Sequence, residues 1–254
     1  MKYNEIMDAV RRQHERVEGM GYTVVFTSLI GSQNYRLDDE SSDIDTFSLI
    51  LPPFEDIAFA REPISSEFEV EDGKCMYKDI RLALNLLKKA SPNSTEMFAS
   101  LFIYINPEFG DVVGQYMRES NLNKMLHSNY SHMLYSCIGM AYQLVKRNMP
   151  AGKRYAHALR LLELVKNYCA YSPSFHLFWL PESVRHEALA AKRNMLEKKD
   201  EWYNTQCISI AEQLEGYEEV FEMTNEQETI EKEGKALIEE FQINLMKKYL
   251  GVKE

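Results

Sequence analysis

In the stretch SLIGSQNYRLDDESSDIDTFSLILPP (Ser28 to Pro53), five carboxylates fall within eight residues: Asp38, Asp39, Glu40, Asp43 and Asp45. Acids this close repel one another at neutral pH unless water or a cation screens them. Asp43 and Asp45 flank Ile44, where an apolar run reads as a strand. Side chains two apart on a strand share a face, about 7 Å apart along it, so both could ligate one Mg²⁺ or Mn²⁺, or bridge two ions. A third carboxylate from a neighbouring strand would complete such a site. Asp79, where KCMYKDI gives way to a helix, is the best-placed candidate, and Glu69 and Glu71 are weaker ones. Taken alone, DDESSDID reads first as a solvated loop. An EF-hand is excluded, because its Gly and terminal Glu do not fall at the required offsets.

The pair Gly31-Ser32 changes that weighting. It closes the preceding strand, twelve residues before Asp43. Glycine at a strand end lets backbone amides approach a phosphate closely, and the serine adds a hydroxyl donor. A phosphate cradle facing a two-carboxylate strand suits metal-assisted nucleotidyl transfer. Further along, KRYAHALR puts Lys153, His157 and Arg160 on one helical face, with Arg154 about 100° away at the helix start. Such cations suit a triphosphate, although by themselves they read as a solvated face balancing Glu163. His157, among Ala156, Ala158 and Leu159, reads as a structural imidazole before a catalyst. Tyr35 reads as a loop anchor, with stacking on a base as the second choice, and Lys78 points to the strand face opposite Asp79.

The elements that must carry these residues follow from periodicity. The first twenty residues form an amphipathic helix through Ile6, Ala9, Val10, His14 and Val17. Tyr22 to Ile30, Ile44 to Pro52 and Lys74 to Ile80 read as strands, the second stopped by Pro52-Pro53. DIRLALNLLKKASPN reads as a helix capped by Asp79 and ended by Ser91-Pro92. Beyond residue 109 the strand signals nearly vanish, and helices are expected at 109–124, 128–148, 153–170, 182–196, 202–224 and 227–250. The expected class is α+β, with a small mixed sheet over 1–108 and a helical part over 109–254.

A chain of 254 residues, 45% hydrophobic and 27% charged, can bury a full core. No apolar run approaches the roughly 20 residues that span a bilayer, and the charged N-terminus has no signal-peptide core, which points to a cytoplasmic protein. The net charge of −10 argues against a long grip on duplex nucleic acid, but not against a nucleotide or a nucleic-acid end in a local basic pocket. Cys75, Cys137, Cys169 and Cys207 are scattered, as buried reduced thiols are. His127, His132, His176 and His186 are too dispersed for a metal site. There is no GxxxxGK[ST], GxGxxG or GxSxG.

GSQNYRL (31–37), SDID (42–45), SLILPP (48–53), KDIR (78–81) and KRYAHALRLLE (153–163) occur in an order that resembles the DNA polymerase β-like nucleotidyltransferase superfamily. The wording is closest to a bacterial and phage group with GSxxYGL, SDxD, KDIR and a basic helix bearing a histidine. Arg36 departs from that pattern, which has Gly there, and could contact a phosphate or acceptor or simply pair with Asp38 or Asp39. The resemblance implies transfer of a nucleoside monophosphate from an NTP to a hydroxyl of a small molecule, RNA end or protein. Asp43, Asp45 and Asp79 would hold metal. Gly31, Ser32, Arg36, Lys153, Arg154, His157 and Arg160 would hold the nucleotide. Two other classes stay open: an NTP-binding regulatory module of the same fold, and a glycosyltransferase using the DxD, which the Gly-Ser pair argues against.

Overall fold

The computed structural model describes residues 3–39, 42–71 and 73–252, so Glu40 lies outside the described residues. A five-stranded mixed sheet has the order β3-β4-β2-β1-β5. Central β1 (Thr23–Ile30) runs antiparallel to β2 (Asp45–Leu51) and to β5 (Ile103–Ile105). β4 (Gly73–Asp79) lies parallel to β2 and antiparallel to edge strand β3 (Ser65–Val70). β1 and β2 are buried on both faces, which is why they read as continuous apolar runs rather than as alternation.

Helix α1 (Tyr3–Gly19) covers one face with Ile6, Ala9, Val10 and Val17, and a short α2 (Phe54–Ala58) follows β2. The polar residues on that face find partners. His14 Nδ1 lies 3.0 Å from Thr27 Oγ1, which lies 2.7 Å from Ser48 Oγ. Gln13 donates to the Ile44 carbonyl at 3.1 Å and accepts from Thr46 Oγ1. These bonds pin α1 behind the start of β2. On the other face Phe26 meets Phe47 and Phe98, and the apolar cluster continues into α3 (Ile80–Lys88) and α4 (Pro92–Ala99).

The helical part comprises α5 (Gly110–Tyr116), α6 (Glu119–Leu126), α7 (Tyr130–Leu144), α8 (Ala151–Cys169), α9 (Glu182–Lys192), α10 (Asp200–Val220) and α11 (Asn225–Tyr249). Its core is continuous with that of the sheet, from Phe26 through Phe109 to Phe241. Among the described residues, no helix is long and apolar enough to cross a membrane.

The α+β class is as expected, and the differences are local. Ser91-Pro92, read as a stop, also starts α4: Ser91 accepts from the Ser94 N–H and proline takes the first turn. The helix expected over 109–124 is two, α5 and α6, separated at Met117-Arg118. β3 escaped notice because SSEFEV is an exposed edge strand with only Phe68 and Val70 as apolar cues. β5, three residues long, is too short to show a period.

Candidate active site

A cleft of about 310 Å³ opens where the end of β1 and the start of β2 meet the first turns of α8. Gly31 and Ser32 form one rim. Gly31 has φ of +85°, which glycine adopts freely, and a β-carbon there would lie 3.3 Å from Asp45 Oδ2. The bare Cα lets the Asp45 carboxylate rest against the backbone. The turn closes on itself, the Asn34 N–H donating to Gly31 O and the Leu37 N–H to Ser32 O. From beneath, the Gly31 N–H donates to Glu96 Oε1 at 2.5 Å.

Asp43 and Asp45 both line this cleft, Asp43 exposed and Asp45 half-buried. Asp45 Oδ1 accepts the Lys74 N–H at 3.1 Å. That contact depends on Gly73, whose β-carbon would fall 2.7 Å from the Ile44 carbonyl oxygen, so the β3–β4 turn can lie against the start of β2. Burial raises the Asp45 carboxyl pKa, the Lys74 backbone bond lowers it, and Asp43 raises it further. Two hard oxygen donors that repel one another fit a divalent cation completed by phosphate oxygens and water. Among the described residues, no three His, Cys, Asp or Glu side chains gather as a metal site.

The opposite wall is cationic. Lys153 and His157, from the first two turns of α8, line the cleft, and the partly positive N-terminus of that helix lies beside them. Lys192 joins them from the end of α9. Its Nζ donates to the Leu37 carbonyl at 2.8 Å and to Ser42 Oγ at 3.0 Å, and lies 3.2 Å from Asp39. Sequence reading missed Lys192. Its only trace is the small-residue spacing of buried Ala188 and Ala191, which matches Gly152 on α8: a β-carbon on Gly152 would collide with the Ala191 carbonyl, so the helices cross at backbone contact. His157 is pushed down to about 3 by burial and by Arg160, Lys153, Arg147 and Lys192, and is therefore a neutral imidazole at pH 7.

Several expected site residues lie elsewhere. Asp79 is fully buried on the α1 face of the sheet, whereas Asp45 faces the cleft. Because β2 and β4 run parallel, Asp79 pairs with Ile50, at the far end of β2 from Asp45. There it caps α3 through the Arg81 N–H and binds the Arg81 guanidinium at 2.5 and 3.0 Å. The structure thus does not bring Asp79 together with Asp43 and Asp45 at the cleft. Glu69, on β3, pairs with Lys74 at 3.4 Å and reaches Asp45 only as a weak repulsion.

Arg154 is not among the residues that line the cleft: it donates to the Arg147 and Met149 carbonyls and to Asn204, tying α8 to α10. Arg160 is buried under Tyr35, its guanidinium 4.2 Å from the ring centre, and shares the interior with Glu96. Tyr35, 2% exposed and also packed on Phe178, anchors the loop. Arg36 turns away from the cleft and lies over Trp179. Lys78 donates to Ser65 on the edge strand.

A mixed sheet whose Gly-Ser turn faces an aspartate pair and a basic helix defines the DNA polymerase β-like nucleotidyltransferase class. The sequence matches the RNA repair pathway DNA polymerase beta family (RlaP) over residues 2–232, nearly the whole chain, and the protein belongs to that family. No curated protein matches it.

Proposed function

We propose that the protein transfers a nucleoside monophosphate from an NTP to a hydroxyl acceptor, releasing pyrophosphate. The observation that carries this reading is the meeting of Gly31, Ser32, Asp43 and Asp45 with Lys153, His157 and Lys192 around one cleft, although more than a hundred residues separate the two sets.

Each group has a role that follows from its placement. The Ser32 hydroxyl donates to a phosphate oxygen of the bound triphosphate. Lys153, Lys192 and the α8 N-terminus offset the negative charge that builds on the departing pyrophosphate. His157, neutral, donates a hydrogen bond without adding charge. Asp43 and Asp45 would hold Mg²⁺ or Mn²⁺, which when bound supplies positive charge at the α-phosphate and lowers the pKa of the entering hydroxyl. Asp79 has no part in the reaction. The family's description favours a nucleic-acid end over a small molecule or a protein as acceptor.

The test is calorimetric titration of each NTP with Mg²⁺ into the wild type and into Asp43→Asn/Asp45→Asn, with pyrophosphate release followed in parallel. Metal-dependent binding and turnover, both lost in the double variant, support the reading. Turnover that survives both substitutions ends it. One observation favours a second reading, an NTP-binding regulator. The β4 residue beside Asp45, which gives it an N–H bond, is Lys74 rather than an acid. Metal-dependent NTP binding with no pyrophosphate release under any acceptor would select it.

A further inference from the structure

A second cavity, about 220 Å³, lies on the other side of the Gly-Ser loop. The loop divides its residues between the two spaces. Gly31, Ser32, Tyr35 and Leu37 line the cleft, whereas Gln33, Asn34, Arg36 and Asp38 line the second pocket together with Phe102 and Trp179. Arg36 holds φ of +59°, a conformation that disfavours any residue with a side chain. In that posture its guanidinium lies 4.1 Å from the Trp179 ring centre. Trp179 is itself the edge of an aromatic group that reaches the surface: His176 lies 4.6 Å from it, and Phe175, 39% exposed, lies 4.3 Å from His176. The Gln33 side chain is buried and gives its amide hydrogens to the Ser42 and Asp43 carbonyls, leaving Oε1 buried without a partner.

We propose that this pocket binds a nucleobase, stacked on the Arg36–Trp179 pair and hydrogen-bonded at its edge by two acceptors, Gln33 Oε1 and the Asp38 carboxylate. The inference rests on the transferase reading for its use, but the binding itself does not require turnover. The space is smaller than the roughly 300 Å³ at which pockets for drug-sized ligands begin, which suits one planar ring system and not a triphosphate. Indole and guanidinium planes are the surfaces on which single-stranded bases stack. Beside the apolar Ile6 and Leu101, Gln33 Oε1 and the Asp38 carboxylate offer acceptors to the amino and imino hydrogens of a base, which an aliphatic ligand would leave unmatched. Asp38 makes the pocket unsuitable for phosphate. A non-glycine residue held with positive φ is explained if the guanidinium is needed at that place. A base seated there would brace the loop from behind while the cleft acts on its front.

The sequence contains two tryptophans, Trp179 and Trp202, so Trp202→Phe leaves Trp179 as the sole indole reporter. This variant is titrated with a short single-stranded oligoribonucleotide and, separately, with NTP in the absence of divalent metal. Saturable quenching of Trp179 is expected. Quenching by the oligonucleotide assigns the base to the acceptor, and quenching by NTP alone assigns it to the donor. Binding of a labelled oligonucleotide or nucleotide by anisotropy covers the case in which Trp202→Phe does not fold. In that assay Trp179→Ala should weaken binding about 5- to 100-fold and Trp179→Phe much less, as loss of one stacking partner predicts. Arg36→Gly relieves the backbone and should still weaken binding. Absence of quenching by both ligands, or equal affinity in wild type and Trp179→Ala, overturns the proposal. The same titration on Asp43→Asn/Asp45→Asn separates the two readings: quenching that persists when transfer is never observed leaves the base site standing alone, and transfer with a silent Trp179 removes only the base site.

Discussion

The backbone N–H of Gly31 donates to Oε1 of Glu96 at 2.5 Å, so the turn at the rim of the cleft is held from below by a carboxyl that is 6% exposed. Burial pushes Glu96 up to about 7, against the opposing effects of Arg160, the Gly31 N–H and the Asn34 side chain. The folded protein therefore binds this proton more tightly than the unfolded chain does. The resulting stability is complete below the ordinary glutamate pKa and is lost as pH rises through about 7. The loss amounts to about 3 kcal/mol at most. The thermal midpoint of the wild type should fall between about pH 5 and about pH 8. In Glu96→Gln, which can still accept from Gly31, that part of the slope should vanish. An unchanged slope would mean that Glu96 stays ionised throughout.

Asp79 should behave as a structural acid. Asp79→Asn breaks a buried pairing with Arg81, at an expected cost of about 3 kcal/mol in denaturant unfolding. Metal-dependent nucleotide binding by the molecules that remain folded should be unaltered. Weakened binding at undiminished stability would restore Asp79 to the site.

Gly31→Ala should do the reverse. A side chain at φ of +85° costs roughly 1–2 kcal/mol, and the new methyl presses on Asp45 Oδ2. The protein should remain folded while its affinity for NTP with Mg²⁺ falls about tenfold or more. Calorimetry beside a melting curve reads both. Affinity equal to that of the wild type would show that Asp45 can move without consequence.

Lys192→Met keeps the stem of the side chain and removes three polar contacts to the acidic loop. Amide hydrogens of Leu37 and Asp39 should exchange faster, and NTP affinity should drop about tenfold through the lost cation. Exchange rates identical to those of the wild type would show that α9 does not restrain the loop.

His157, held down to about 3, is already neutral throughout the working range of most enzymes. His157→Gln should therefore lower the rate without altering the shape of the pH–rate profile above about pH 5. Disappearance of a limb near about pH 6 in the variant would show that the imidazole titrates during turnover.

What local pattern could specify, the sequence already contained. Gly31-Ser32 at a strand end, Asp43 and Asp45 two apart where an apolar strand begins, and the Lys153–His157 face each depend on neighbours within a few residues, and all reach one cleft. Their elements were readable because apolar periodicity survives in a single stretch of chain. The fate of Asp79 was not, because strand alternation says which residues share a face but not whether the neighbouring strand runs parallel, and the parallel β2–β4 pairing puts it at the far end. Arg154 and Arg160 share a helix with Lys153, yet only the packing of α7, α9 and α10 around α8 decides which of its cations meet carbonyls, which an aromatic ring and which the solvent of the cleft. Lys192, Glu96 and Trp179 reach the loop from 150, 65 and more than a hundred residues away. Contacts of that range arise only when close helix crossings, such as Gly152 on the Ala191 carbonyl, bring distant side chains within bonding distance.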